Sequence, residues 1–153
     1  MVRLIDVPEP ERTVIADLDC PDYELTPPNK AAKPSARHVA LVSTAGLIIR
    51  GERPLLARDR GYRSISSSVA DKDVLCSHVS TNFDRTGFQQ DLNVMLPRDR
   101  LKGLEAEGRI GKAADEHYAF MGATSPTDME KSARELAQSM LALGVNTVVL
   151  APV

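Results

Sequence analysis

From Cys76 to Pro97 the chain reads CSHVSTNFDRTGFQQDLNVMLP. The stretch is dense in side chains that can move a proton or hold a polar ligand. His78 titrates near neutrality and is a candidate proton carrier. Asp84 could orient it. Arg85 could hold a carboxylate through two parallel hydrogen bonds. Asn82, Gln89, Gln90 and Asn93 add amides that could fix a polar ligand. The same residue types also suit a surface loop, with the histidine satisfied by a backbone carbonyl, Asp84 paired to Arg85, and the amides capping turns. Residues two apart on a strand share a face, so Cys76 and His78 could meet as a thiol–imidazole pair. Cys20, ahead of Pro21, reads as a small half-buried residue.

This loop needs a strand to carry it and a core to anchor it. Val74-Leu75-Cys76 reads as the end of a buried strand, and Phe83, Phe88, Leu92, Val94 and Met95 can tie the loop down. A long, anchored polar loop leaving a strand is a common form of functional loop. His38 to Ser43 (HVALVS) is apolar and β-branched, the signature of a strand covered on both faces. Ser43-Thr44-Ala45-Gly46 follows it. These residues make either a ligand position at a strand's carboxyl end or a tight turn into Leu47 to Ile49. Arg50 to Arg60 is a solvated basic loop, or one of its arginines clamps a carboxylate. Tyr62 to Ser66 and Tyr118 to Met121 read as further strands, the latter ending in a small-residue turn from Gly122 to Ser125.

Helices are expected over Glu11 to Leu18 and over Pro97 to Glu107, the latter with Leu101 and Leu104 inward. The strongest helix signal starts at Ser125. Ser125 caps it, Pro126 takes the first position and Asp128 completes a capping box. Met129, Ala133, Leu136, Met140 and Leu143 form one apolar face, and Gly144 stops the helix. Val145 to Ala151 is expected as a last buried strand.

Strand, loop, helix and strand alternate, which implies an α/β fold. The expected form is a mostly parallel sheet flanked by helices, a three-layer, Rossmann- or flavodoxin-like arrangement over residues 38–153. Residues 1–37, punctuated by proline, form an extended N-terminal arm. In such a sheet the strand ends after Val42, Cys76, Met121 and Ala151 share one edge, and His78 sits on it. The 153 residues carry a net charge of −2 with both signs mixed. That offers no basic face for nucleic acid. No run approaches the roughly 18 apolar residues of a membrane span. MVRLIDVPEPER has no apolar signal core, so the expected location is cytoplasmic. Two cysteines make no secreted disulfide framework, and their spacing matches no zinc pattern.

The strings SHVSTNFDRTGFQQDLNVMLPRDRL, HYAFMGAT, VVLAPV and ALVSTAGL resemble the selenoprotein B family of glycine, sarcosine, betaine and D-proline reductases. The resemblance runs from about His38 to Val153, with a weaker match in LIDVPEPER and LDCP. It implies a component of an oxidoreductase that cleaves the C–N bond of a small amino acid or derivative. In that chemistry a selenolate attacks the carbon next to the carboxylate and the amine leaves. A selenol suits the task because it ionises more readily than a thiol. The implied partners are other reductase subunits, one of them carrying a pyruvoyl group, and a dithiol or thioredoxin-like reductant.

The family's selenocysteine or cysteine follows the strand that ends here at Val153. The expectation is therefore a chain without its nucleophile, cut at a UGA codon, with its sheet incomplete on the C-terminal side. No cofactor is expected within the chain itself. The exposed strand left behind would promote aggregation or a homo-oligomer. The alternative is a non-catalytic α/β domain that binds a small carboxylate or a partner subunit through the same edge.

Overall fold

The computed structural model describes residues 3–18, 21–23, 29–80 and 85–153. In chain order the strands are β1 (His38–Ser43), β2 (Leu47–Ile49), β3 (Tyr62–Ser66), β4 (Val74–Cys76), β5 (Lys112–Ala113), β6 (Glu116–Phe120) and β7 (Thr147–Ala151). The helices are α1 (Glu11–Ala16), α2 (Thr86–Gln90), α3 (Arg98–Ala106) and α4 (Pro126–Ala142).

β1 is the spine. Residues 39–43 are all buried, as a continuous apolar strand must be when both faces are covered. Its side chains alternate between two cores. Val39 and Leu41 join Leu47, Ile65, Met95, Leu96, Leu101 and Ala119 on one face. Ala40 and Val42 join Tyr118, Phe120, Leu136 and Met140 on the other. Helix α4 covers this second face. The first lies under α3, the segment 92–96 and the β2–β4 pair. The three-layer expectation therefore describes the layering. Burying a side chain such as Leu136 contributes roughly 2 kcal/mol by area transfer.

β7 runs parallel along one side of β1, from Val39↔Thr147 to Ser43↔Ala151. Two short parallel strands share the other side. β5 pairs with His38 and Val39, and β6 pairs with Val42 and Ser43. β3 lies antiparallel outside β6. The sheet is thus mostly parallel with one antiparallel edge.

Four expectations change. β4 does not enter this sheet. It pairs antiparallel with β2 as a separate ribbon, because the chain reverses at Gly46, whose φ of +63° is the left-handed conformation glycine tolerates. β7 forms as a strand but is not buried: Leu150 is 71% exposed, since only β1 flanks it among the described residues. Ser125 caps α4 by position without a side-chain cap bond, and its hydroxyl meets that of Thr127 at 2.9 Å. Asp128 bonds instead to Arg60 Nη2 at 2.7 Å, so no capping box forms. Leu143, expected on the apolar face of α4, is exposed. No described helix is long and apolar enough to cross a membrane.

Candidate functional site

β1 and β6 end side by side, and their two exit turns create a frame for His78. Gly46 N–H donates to Phe120 O (2.9 Å), Gly122 N–H donates to Thr44 O (2.9 Å), and Ser77 N–H donates to Gly46 O (2.9 Å). The last bond pulls the chain leaving β4 under the carboxyl edge of the main sheet. His78 therefore reaches that edge although its strand lies outside the sheet.

Two glycines leave the room for it. A Cβ on Gly46 would stand 3.1 Å from the His78 backbone, and one on Gly122 would stand 2.6 Å from Thr44 O and 3.2 Å from His78 Nε2. The sequence marks both as turn glycines. Their close approach to a histidine more than thirty residues away in the chain has no local signature.

His78 is buried, at 8% exposure. Ser80 N–H donates to its Nδ1 at 3.1 Å. A nitrogen that accepts a hydrogen bond carries no proton, so the neutral ring holds its proton on Nε2, on the side of Gly122. Burial first, and then the charge on Arg85, hold the pKa of His78 below the ordinary histidine value. The ring is therefore neutral at pH 7. Toward Gly122 it presents an N–H donor rather than a base.

Arg85 serves the turn. Its Nη2 donates to His78 O at 2.8 Å and to Ser80 O at 2.6 Å. Guanidinium hydrogen bonds to backbone carbonyls fix the loop that carries the imidazole. These two bonds, both from Nη2, tie Arg85 to the turn that carries His78.

The remaining expected site residues divide. Ser43 Oγ accepts Ala45 N–H at 3.2 Å, so its hydroxyl closes the turn. Thr44 Oγ1 accepts Val153 N–H at 2.9 Å and donates to Val153 O at 3.3 Å, pinning the end of β7 to the end of β1. Both hydroxyls thus take part in the turn and strand-end bonding at the edge of the sheet. Gln89 and Gln90 line a different cleft of about 350 Å3, together with Asp71, Lys72, Asp91, Asn93 and Asp99. Asn93 is structural there. Its Nδ2 donates to Asp91 (2.8 Å) and Asp99 (3.1 Å), and its Oδ1 accepts Asp99 N–H at 3.0 Å, which caps α3. Asn82, Asp84 and Cys20 lie outside the described residues.

The thiol of Cys76 is engaged by a backbone carbonyl. β4 ends at Cys76, so the strand alternation that would have put it and His78 on one face stops there. The thiol donates to Ala45 O at 3.4 Å and packs beside the first core. The three histidines are spread along β1. His38 begins the strand, His117 lies beside Leu41, and His78 stands beyond the far end.

Beside Gly122 the surface opens into a hollow of about 470 Å3 lined by Leu18, Gly122, Ala123, Thr124 and Ser125. Ser125 is also the N-cap of α4, so the positive end of that helix borders the hollow. Asp128 in its first turn is neutralised by Arg60. A buried imidazole N–H and a helix N-terminus both favour an anionic group.

Comparison with known proteins identifies the family. The model of the family described as Glycine/sarcosine/betaine reductase selenoprotein B matches residues 10–153. The glycine reductase complex component B subunit gamma of Carboxydothermus hydrogenoformans is 32% identical over 140 residues, covering 88% of this chain and 32% of that protein. The D-proline reductase subunit gamma of Acetoanaerobium sticklandii is 30% identical over 115 residues, covering 73% of this chain and 47% of the relative. The sarcosine reductase complex component B subunit beta of Peptoclostridium acidaminophilum is 24% identical over 136 residues, 85% of this chain and 31% of its own length. The chain spans between about a third and a half of the length of these curated relatives. No solved structure matches the chain significantly. With nearly its whole length matched, this chain belongs to the glycine/sarcosine/betaine reductase selenoprotein B family.

Proposed function

We propose that this chain supplies the carboxylate-binding edge of a reductase component that cleaves the C–N bond of a small amino acid or derivative, of the glycine, sarcosine, betaine or D-proline type. The observation that carries the reading is the neutral, buried His78 with its Nε2 proton beside Gly122, at the joint carboxyl ends of β1 and β6. Open α/β sheets bind ligands at that edge. In this reading the substrate carboxylate occupies the hollow at the N-terminus of α4, and His78, behind Gly122, donates a hydrogen bond toward the same group or its neighbour.

The nucleophile is a selenol or thiol from outside the described residues. Cys76, bonded to Ala45 O, does not take that part. A pyruvoyl group on a partner subunit would activate the amine. Within this chain the work is to bind the carboxylate and orient the carbon beside it. Other reductase subunits and a dithiol or thioredoxin-like reductant complete the system, a reading supported by relatives that are themselves named as subunits of reductase complexes. Asp84 and Asn82 remain candidates for the substrate side of the loop.

The test is reconstitution with partner subunits, a selenol- or thiol-bearing segment and a dithiol, scored as amine or ammonia release. His78→Gln should lower kcat/KM by at least about tenfold, the size of one lost charge-assisted hydrogen bond of about 1.4 kcal/mol. Full activity in His78→Gln, with each of the four substrate types, would overturn the reading.

A further inference from the structure

The basic loop from Arg50 to Arg60 holds four arginines, and three of them are committed within the chain. Arg50 donates to Asp73 at 3.1 Å and to Lys72 O at 2.7 Å. Arg53 donates to Asp59 at 2.9 Å, and Arg60 donates to Asp128 at 2.7 Å. Arg58 differs. Its side chain is exposed, and among the described residues no acceptor meets its guanidinium.

The backbone under Arg58 is fixed. Asp59 N–H donates to Leu56 O at 2.9 Å, and Leu56 N–H donates to Asp59 Oδ2 at 2.7 Å. These bonds close a turn with Arg58 in its third position. On one side of Arg58 the turn is tied to the hollow beside Gly122: Asp59 O accepts the hydroxyl of Thr124 at 3.1 Å, and Thr124 lines that hollow. Arg60 ties the same turn to Asp128, in the first turn of α4. Acid and base cancel in pairs there, Arg53 with Asp59 and Arg60 with Asp128. Arg58 is the charge those pairs leave over.

We infer that Arg58 closes on the carboxylate of the ligand held in this hollow. The inference rests on the proposed function and adds the cationic side chain to it. Rooted one residue from the Asp59–Thr124 bond, a side chain as long as arginine's reaches the rim. A guanidinium takes both carboxylate oxygens through two parallel hydrogen bonds. That fork fixes the rotation of the carboxylate as well as its position, which a single imidazole N–H does not. Arg53 and Arg60 would have to break an ion pair to do this, and Arg58 has none to break. A lysine at this place would bring the charge without the fork.

The test is NMR titration of the 15N-labelled chain with glycine, sarcosine, betaine and D-proline in turn, read at the Gly122 amide and at Nε–H of Arg58. The expected result is saturable movement of both signals with one midpoint, for at least one of the four compounds. Arg58→Gln should raise that midpoint at least about tenfold. Arg58→Lys should fall between Arg58→Gln and the parent chain. Arg50→Gln, whose parent arginine serves Asp73, should leave the midpoint unchanged. Far-UV circular dichroism checks that each variant is folded. If Gly122 titrates but Arg58→Gln keeps the same midpoint, or the Arg58 signal stays still, the inference is overturned and the proposed function stands. If Gly122 responds to none of the four compounds, the proposed function falls and the inference falls with it.

Discussion

Leu41 N–H donates to Nδ1 of His117 at 3.3 Å. The bond sits where β1 lacks a strand neighbour on that side, past β5, which pairs with Val39, and before β6, which pairs with Val42. An imidazole thus completes a backbone ladder. His117 is 1% exposed. Burial, helped by the charges of Arg98 and Lys102, lowers its pKa to about 4.

That depressed pKa makes stability pH-dependent. In the unfolded chain the histidine titrates near 6.5. Between about 6.5 and 4 the unfolded state binds a proton that the native state refuses, so stability falls as pH falls. The contribution is fully present above about 6.5 and worth about 2 kcal/mol less at pH 5, at 1.36 kcal/mol per unit. Urea unfolding at pH 7.5 and pH 5 should show that loss. His117→Gln, whose amide oxygen can still accept from Leu41, should lose about 2 kcal/mol less over the same interval. An identical pH slope in both proteins would refute the role given to His117.

Glycine positions should separate by their neighbours. Gly122→Ala places a methyl 2.6 Å from Thr44 O and should cost about 1–3 kcal/mol, as overpacking does. Gly103→Ala in α3 meets nothing within 4 Å and should stabilise by about 0.5–1 kcal/mol through helix propensity. Thermal unfolding of the two variants should move in opposite directions.

Arg98 is a buried cation, 2% exposed, whose guanidinium donates to Ser66 O, Val69 O and Asp71. Arg98→Met leaves the two carbonyls without those donors and should cost about 2 kcal/mol or more. Asp71→Asn should cost under about 1 kcal/mol, because Asp71 is half exposed and remains solvated. Chemical denaturation of both variants tests this order. Equal losses would mean that the ion pair, not the carbonyl contacts, holds the helix in place.

Much of this layout is legible in the chain. A continuous apolar run identifies β1, and the spacing of Met129, Leu136 and Met140 identifies α4, because burial on two faces or on one stripe writes a distinct period. Pairing partners are less legible. β4 resembles a buried strand of the main sheet, yet Gly46 turns β2 back to meet it. β5 is too short to leave a pattern. The capping box expected of Ser125 and Asp128 does not form, and Asp128 instead meets Arg60, a pairing across 68 positions that no local motif records. His78 stood out as a histidine just past a strand. The bonds of Arg85 to the carbonyls of His78 and Ser80 leave no local signature, because backbone carbonyls are the same in every sequence. Gln89, Gln90 and Asn93 follow His78 closely in the chain, but α2 carries them to another cleft.

The loop electrostatics give a prediction of their own. The charge on Arg85 lowers the pKa of His78. Arg85→Gln should therefore raise it toward the ordinary histidine value, as read by NMR titration. A fall, or no change, would detach Arg85 from His78.

The central claim is that His78 and Gly122 form the carboxylate-binding edge. Its most direct test is NMR of the chain labelled with 15N, titrated with glycine, sarcosine, betaine and D-proline. The account predicts a neutral His78 with its proton on Nε2, and saturable shifts of His78 Nε2 and the Gly122 amide with at least one of the four, absent in His78→Gln. Shifts confined to Gln89 and Gln90, or a His78 protonated on Nδ1 and indifferent to all four compounds, would contradict it.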